Sequence, residues 1–117
     1  HELMAVEYKN KKVDLVNTAN TILYTVPAST SAIVKSLLVS EDSGNADTIT
    51  VTLVNSASAI FSLFKTKSVG SNATEELLTR PLVVQEGEII KVAAATGGRL
   101  HVVLSLMEVT SDTNNPV

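Results

Sequence analysis

The sequence predicts an all-β chain: an antiparallel β-sandwich of jelly-roll type, with about eight strands and no substantial helix. Three observations carry this. The chain is rich in Val, Thr, Ile and Ser, which fit a pleated surface better than a helix. Turn-forming clusters recur at short intervals: Asn17-Thr18-Ala19-Asn20, Pro27-Ala28-Ser29, Asp42-Ser43-Gly44-Asn45, Asn55-Ser56, Gly70-Ser71-Asn72, Glu86-Gly87 and Gly97-Gly98. Between them, Thr48-Ile49-Thr50-Val51-Thr52-Leu53 alternates strictly, with Ile49, Val51 and Leu53 on one face and three threonines on the other.

The elements follow in order. His1-Glu2-Leu3 ahead of Met4 reads as a vector remnant and is set aside. Residues 4–20 read as an N-terminal arm, with a strand at 12–16 where Val13 and Leu15 alternate. Those two residues are the candidate docking contacts of an arm that orders by strand addition against a partner. Residues 21–109 form the sandwich domain. Its first strand, 22–26, ends at Pro27, which has no N–H to give to a ladder. Strands at 32–40 and 48–54 come next. On the strand at 60–65, Phe61, Leu63 and Lys65 face one way and Ile60, Ser62 and Phe64 the other. A short strand at 75–78 precedes Arg80-Pro81, which should break pairing before Leu82-Val83-Val84. The polar residues 110–117 read as a flexible tail.

The last two strands, 88–94 and 100–109, read as a hairpin around Thr96-Gly97-Gly98. A two-residue loop would set Lys91 opposite Leu104. A three-residue loop pairs Ile90 with Leu104 and Val92 with Val102, and gathers Ile90, Val92, Leu100, Val102, Leu104 and Leu106 on one apolar face. Because a one-residue slip exchanges the faces, the coherent register is expected. The other face then carries Ile89, Lys91, His101, Val103, Ser105 and Met107, too apolar for a face left wet.

Composition excludes several functions. The 117 residues suit one domain, and the absence of Cys removes disulfides, thiolate nucleophiles and Cys-based zinc sites. Small domains without such staples commonly gain stability by oligomerising. A net charge of −3, with Lys9-Asn10-Lys11-Lys12 as the one basic cluster, does not offer the dense basic face that nucleic acid requires. No apolar run approaches the ~20 residues of a membrane span, and the polar start carries no signal-peptide pattern.

The segments Leu23-Tyr24-Thr25-Val26-Pro27-Ala28, Ala32-Ile33-Val34-Lys35-Ser36 and Asp47-Thr48-Ile49-Thr50-Val51 are followed by Leu82-Val83-Val84, Glu86-Gly87-Glu88-Ile89-Ile90-Lys91-Val92 and Gly98-Arg99-Leu100. Together they resemble small virion structural proteins of tailed bacteriophages, over roughly residues 21–109. The stretch 65–74 departs from that pattern in having no Pro-Ala step. The resemblance implies a β-sandwich accessory subunit, either head decoration (cement) or tail-associated. It also implies a virion location after synthesis in the host cytoplasm, a homo-oligomer (most simply a trimer), and a major capsid or tail protein as partner. The second reading is a carbohydrate- or receptor-binding module of a fibre, for which Tyr8, Tyr24, Phe61 and Phe64 are the available aromatics.

Nothing in the sequence reads as chemistry, and no enzyme, metal or cofactor is expected. His101 lacks neighbours for acid–base work and reads as a surface or interface residue. Glu41, Asp42 and Asp47 surround a turn without the spacing of a calcium loop and read as solvated. Glu75-Glu76 beside Arg80 read as surface charges, because adjacent strand residues point to opposite faces. No Gly-x-Ser-x-Gly elbow is present, and Asn72-Ala73-Thr74 matches a glycosylation sequon by chance. The candidate site is instead an apolar subunit interface built from Ile89, Val103, Met107, Phe61 and Leu63.

Overall fold

A computed structural model describes residues 3–112. Among them are nine strands and no helix: β1 (Leu3–Leu15), β2 (Thr21–Thr25), β3 (Thr30–Glu41), β4 (Asp47–Val54), β5 (Ile60–Val69), β6 (Thr74–Glu76), β7 (Leu82–Val84), β8 (Ile89–Ala94) and β9 (Leu100–Asp112). One sheet runs β1-β9-β3-β6, with β7 also on β3; the other runs β2-β8-β4-β5. The short β6 and β7 pair with successive stretches of β3, so they act as one strand interrupted around Pro81. Counted that way, the eight-strand order is 1-8-3-6 against 2-7-4-5. That is the jelly roll of two facing antiparallel sheets.

Alternation fixes which side chains go inside. Leu100, Val102, Leu104 and Leu106 of β9 and Ile90, Val92 and Ala94 of β8 are all buried. Val34, Leu37 and Val39 of β3 meet Ile49 and Val51 of β4 in the same core. With no Trp and two Phe in the chain, the layer between the sheets is aliphatic, and Tyr24 is its one buried aromatic.

The expected hairpin is not there. Its two strands lie in different sheets: β8 pairs with β2 and β4, and β9 with β1 and β3. Ile90 and Val92 therefore face Leu104 and Val102 across the core instead of lying beside them. The connection is held from both sheets. Ala95 N–H donates to the Thr48 carbonyl at 3.2 Å and Gly98 N–H to the Leu15 carbonyl at 2.9 Å. Thr96 N–H donates to Asp47 Oδ2 at 3.1 Å.

Two further expectations change. Residues 4–15 are not a free arm: β1 pairs residue for residue with β9, from Leu3↔Asp112 to Leu15↔Leu100. The tail begins later than residue 110, since β9 extends to Asp112; residues 113–117, with His1 and Glu2 of the supposed remnant, lie outside the described residues. The break expected at Pro81 is present: pairing to β3 stops at Glu76 and resumes at Leu82 on the same edge, where a proline is tolerated.

Candidate functional site

The register sorts every strand residue onto an inner or outer face, since directly opposed residues share a face. On the outer face of the β1-β9-β3 sheet, Tyr8 stands opposite Met107, Met107 opposite Ile33, and Ile33 opposite Val83. This apolar row crosses four strands. Val6 opposite Val109 forms the next row, and Met4 lies beyond it. Exposure is high: Tyr8 73%, Met4 61%, Val6 58% and Val83 58%. Met107, Ile33 and Val109 are half-buried by these neighbours.

The interface residues expected from the sequence separate. Val103 and Met107 do share this outer face. Ile89 lies on the outer face of the opposite sheet, beside Val54 and Thr25. Phe61 is 52% exposed on the edge strand β5, and Leu63 packs against the core. The alternation expected for 60–65 fails because β5 carries two register shifts against β4, which bring Phe61 and Phe64 opposite Leu53 and Val51. Nor do Val13 and Leu15 dock anything: Leu15 is 2% exposed within the core and Val13 packs against it. The exposed large apolar residues of β1 are instead Met4, Val6 and Tyr8. Their own alternation, Met-x-Val-x-Tyr, was the available signal.

Buried charge serves the fold. Glu108 is buried on the inner face, where Oε2 accepts the Tyr24 hydroxyl at 2.6 Å and Oε1 lies 3.0 Å from Lys9 Nζ. Burial alone would raise the Glu108 pKa, but hydrogen bonds from Tyr24 and Lys9, with the Lys9 charge, outweigh it and hold the carboxyl below its usual value. The same contact raises Lys9, through its hydrogen bond and attraction to Glu108. Tyr24 is raised in turn, first by burial and then by that carboxylate. Tyr24→Phe is expected to cost about 1–2 kcal/mol in urea unfolding, because a buried carboxylate loses one of its two partners.

Glu41 is not part of a solvated turn. It is 2% exposed, and its carboxylate accepts Ser43 N–H at 2.7 Å, the Ser43 hydroxyl, Gly44 N–H at 3.1 Å and Asn72 N–H at 3.0 Å. Burial opposes its ionisation, yet these donors lower its pKa to about 2. Asn72, read from sequence as part of a turn cluster and of a chance sequon, holds a positive φ of 56°, and its N–H donates to Glu41. Asp47 is buried too and accepts from Thr96, while Asp42 is exposed.

Glu76 is more than a surface charge. It accepts the Ser36 hydroxyl, Leu37 N–H at 2.8 Å and Leu78 N–H at 3.2 Å, and so fills the bulge of β3 between its pairings with β7 and β6. Burial raises it and these bonds lower it further, for a net depression. His101 does not face Lys91, which lies in the other sheet. Its Nε2 is 3.2 Å from Asp14 Oδ1 and its Nδ1 3.7 Å from Asp42 Oδ2.

Among the described residues, every buried side-chain nitrogen and oxygen has a hydrogen-bond partner, and no group of three or more His, Asp or Glu could hold a metal ion. No helix there is long and apolar enough to cross a membrane. The buried polar groups are engaged with one another, and the surface with unsatisfied character is the apolar outer face.

No protein-family model and no curated protein matches the sequence. In fold the chain is similar to a subunit of Bacillus endospore appendages, described as a novel family of disulfide-linked pili, at TM-score 0.58 and 10% identity over 95% of this chain and 90% of that one. It is likewise similar to a chain of the acid-stable capsid of Helicobacter pylori bacteriophage KHP30, at TM-score 0.55 and 11% identity over 96% and 98%. A third likeness is to a chain of the infectious bursal disease virus Gx strain, at TM-score 0.53 and 7% identity, where this chain matches over 94% of its length but spans only 32% of the other. At such identities the likeness is one of fold. Disulfide linkage cannot carry over, since this chain has no cysteine.

Proposed function

We propose that the chain is a non-enzymatic structural subunit of a phage virion, a capsid decoration (cement) subunit that self-associates and docks on the capsid lattice after synthesis in the host cytoplasm. The observation that carries the proposal is the uncovered apolar row Tyr8–Met107–Ile33–Val83, on a jelly roll whose buried polar groups are engaged internally. A contiguous exposed apolar surface rimmed by polar residues is the signature of a protein contact. Jelly rolls recur in capsid proteins and lectins alike, so the fold supports this reading without deciding it. A sugar-reading fibre module is disfavoured because Tyr24 is buried and hydrogen-bonded to Glu108, which leaves Tyr8 as the one exposed tyrosine among the described residues.

The test is co-sedimentation with capsids that lack the subunit. Saturable, stoichiometric binding is expected, and an Ile33→Lys, Val83→Lys double variant that remains folded by circular dichroism should lose it. Capsids that take up neither protein, or both equally, would overturn the reading.

A further inference from the structure

The two sheets leave four kinds of edge, and three carry the devices that block edge-to-edge pairing. Strand β2 has 5 residues and a register shift, with Pro27 just beyond it. Strand β5 has two register shifts and a left-handed residue, Thr66, at φ 49°. Strands β6 and β7 have 3 residues each, with Pro81 between them. Strand β1 is different. It runs 13 residues with no proline and no shift in register, and from Met4 to Tyr8 it is exposed on both faces, Ala5 and Glu7 included.

We propose that the free edge of β1 pairs, antiparallel, with the β1 edge of a second copy of this chain. An antiparallel pair has its two-fold axis perpendicular to the sheet, so outer-face residues can meet only outer-face residues and the axis must pass through a residue position. Charge then separates the candidates: centring on Val6 opposes each charge to an uncharged residue and gains no attraction. Centring on Glu7 opposes two glutamates, and centring on Lys9 opposes two lysines. Centring on Tyr8 sets Glu7 against Lys9 twice, Val6 against Asn10, Ala5 against Lys11 and Met4 against Lys12, with no like charges opposed. The lysines that would blunt a generic edge therefore specify this register. Within one copy Lys9 Nζ lies 3.6 Å from Glu7 Oε1 and 3.0 Å from Glu108 Oε1.

The Tyr8 register has a further consequence. It places the two tyrosines together on the axis and joins the rows Tyr8–Met107–Ile33–Val83 of both copies into one stripe across a continuous sheet. Both outer faces then point the same way. The symmetry is two-fold rather than the three-fold expected from sequence, because like edges in antiparallel pairing are related by a two-fold axis. The inference depends on the capsid reading only for its biological use, and it is tested in solution without any particle.

Sedimentation of the wild-type chain should show a monomer–dimer equilibrium, and Tyr8→Lys should weaken the dimer by about tenfold or more by opposing two lysines on the axis. Because the chain has no cysteine, single thiols report the register directly. Oxidised Tyr8→Cys should form a covalent dimer, and a mixture of Val6→Cys with Asn10→Cys should cross-link as the heteropair in preference to either homopair. Val83→Cys, on β7 at the opposite edge of the sheet from β1, should not. A wild-type chain that stays monomeric at high micromolar concentration would overturn the proposal, as would Tyr8→Cys cross-linking no faster than Val83→Cys. Capture of a foreign β-strand by a monomeric chain would overturn it in favour of a different partner. If the dimer forms and capsids still bind nothing, the decoration reading fails and this one stands.

Discussion

Replacing Gly97 by alanine is expected to destabilise the domain by about 3 kcal/mol, more than any other single-methyl addition in its loops. A Cβ at residue 97 would lie 2.5 Å from the Val16 carbonyl oxygen, 3.0 Å from Asn17 Cα and 3.1 Å from the Val16 carbonyl carbon. All three are backbone atoms, so no side chain can swing aside. Retreat of the loop is blocked as well, because Ala95 and Thr96 are hydrogen-bonded to the start of β4 and Gly98 to the end of β1. Relief would require separating strands of opposite sheets at the point where the chain crosses between them. Gly98→Ala is the control. It meets nothing within 4 Å but must hold a φ of +78°, and should cost only about 1 kcal/mol. Urea unfolding of both variants checks the order; a cost for Gly97→Ala no larger than that of Gly98→Ala would show that the contact with Val16 yields.

Glu41→Leu is expected to lower Tm by more than about 10 °C. Leucine matches the bulk roughly but accepts no hydrogen bond, so the N–H groups of Ser43, Gly44 and Asn72 lose the acceptor that the buried carboxylate supplies. The turn after β3 and the turn between β5 and β6 are pinned to this one carboxylate, so both should loosen together. The same residue sets a pH dependence. Its folded pKa, about 2, lies below the ordinary 4.5, so its stabilisation is present above about 4.5 and is lost as pH falls through about 2. Glu76 and Glu108 are depressed as well and add to the slope in the same direction. Lys9 works oppositely: its raised pKa contributes below 10.5 and is lost as pH rises through the folded value. Thermal melts from neutral pH downward should show Tm falling across the acid window, and Glu41→Gln should flatten part of that fall. A wild-type Tm constant between pH 4.5 and 2 would contradict the assignment.

Much of the fold was legible because period-two alternation reports side-chain direction. Ile49, Val51, Ile90, Val92, Val102 and Leu104 were assigned inward from the pattern, and all six are at most 1% exposed. The pattern failed where the backbone breaks its period. The two shifts on β5 set Phe61 and Phe64, expected on opposite faces, against Leu53 and Val51 of one face, and the bulge near Lys35 of β3 left the Leu37 N–H, which donates to Glu76. Buried carboxylates were missed for a related reason. Glu41 and Glu108 look like surface charges in sequence, and only their donors, from residues up to 84 positions away, identify them as internal.

The sequence by itself determined the class of fold, the inward faces of β4, β8 and β9, the aliphatic core and the absence of thiol chemistry. Each of these follows from residue type and local spacing. The tertiary structure decided which strands lie side by side. The apolar face shared by β8 and β9 is the same whether they form a hairpin or oppose one another across a sandwich, because alternation encodes the side a residue faces and not its lateral neighbour. Lateral pairing depends on contacts between distant segments, Leu3–Leu15 against Leu100–Asp112 above all. That pairing turned an expected free arm into an edge strand, and with it located the surface through which this chain is proposed to assemble.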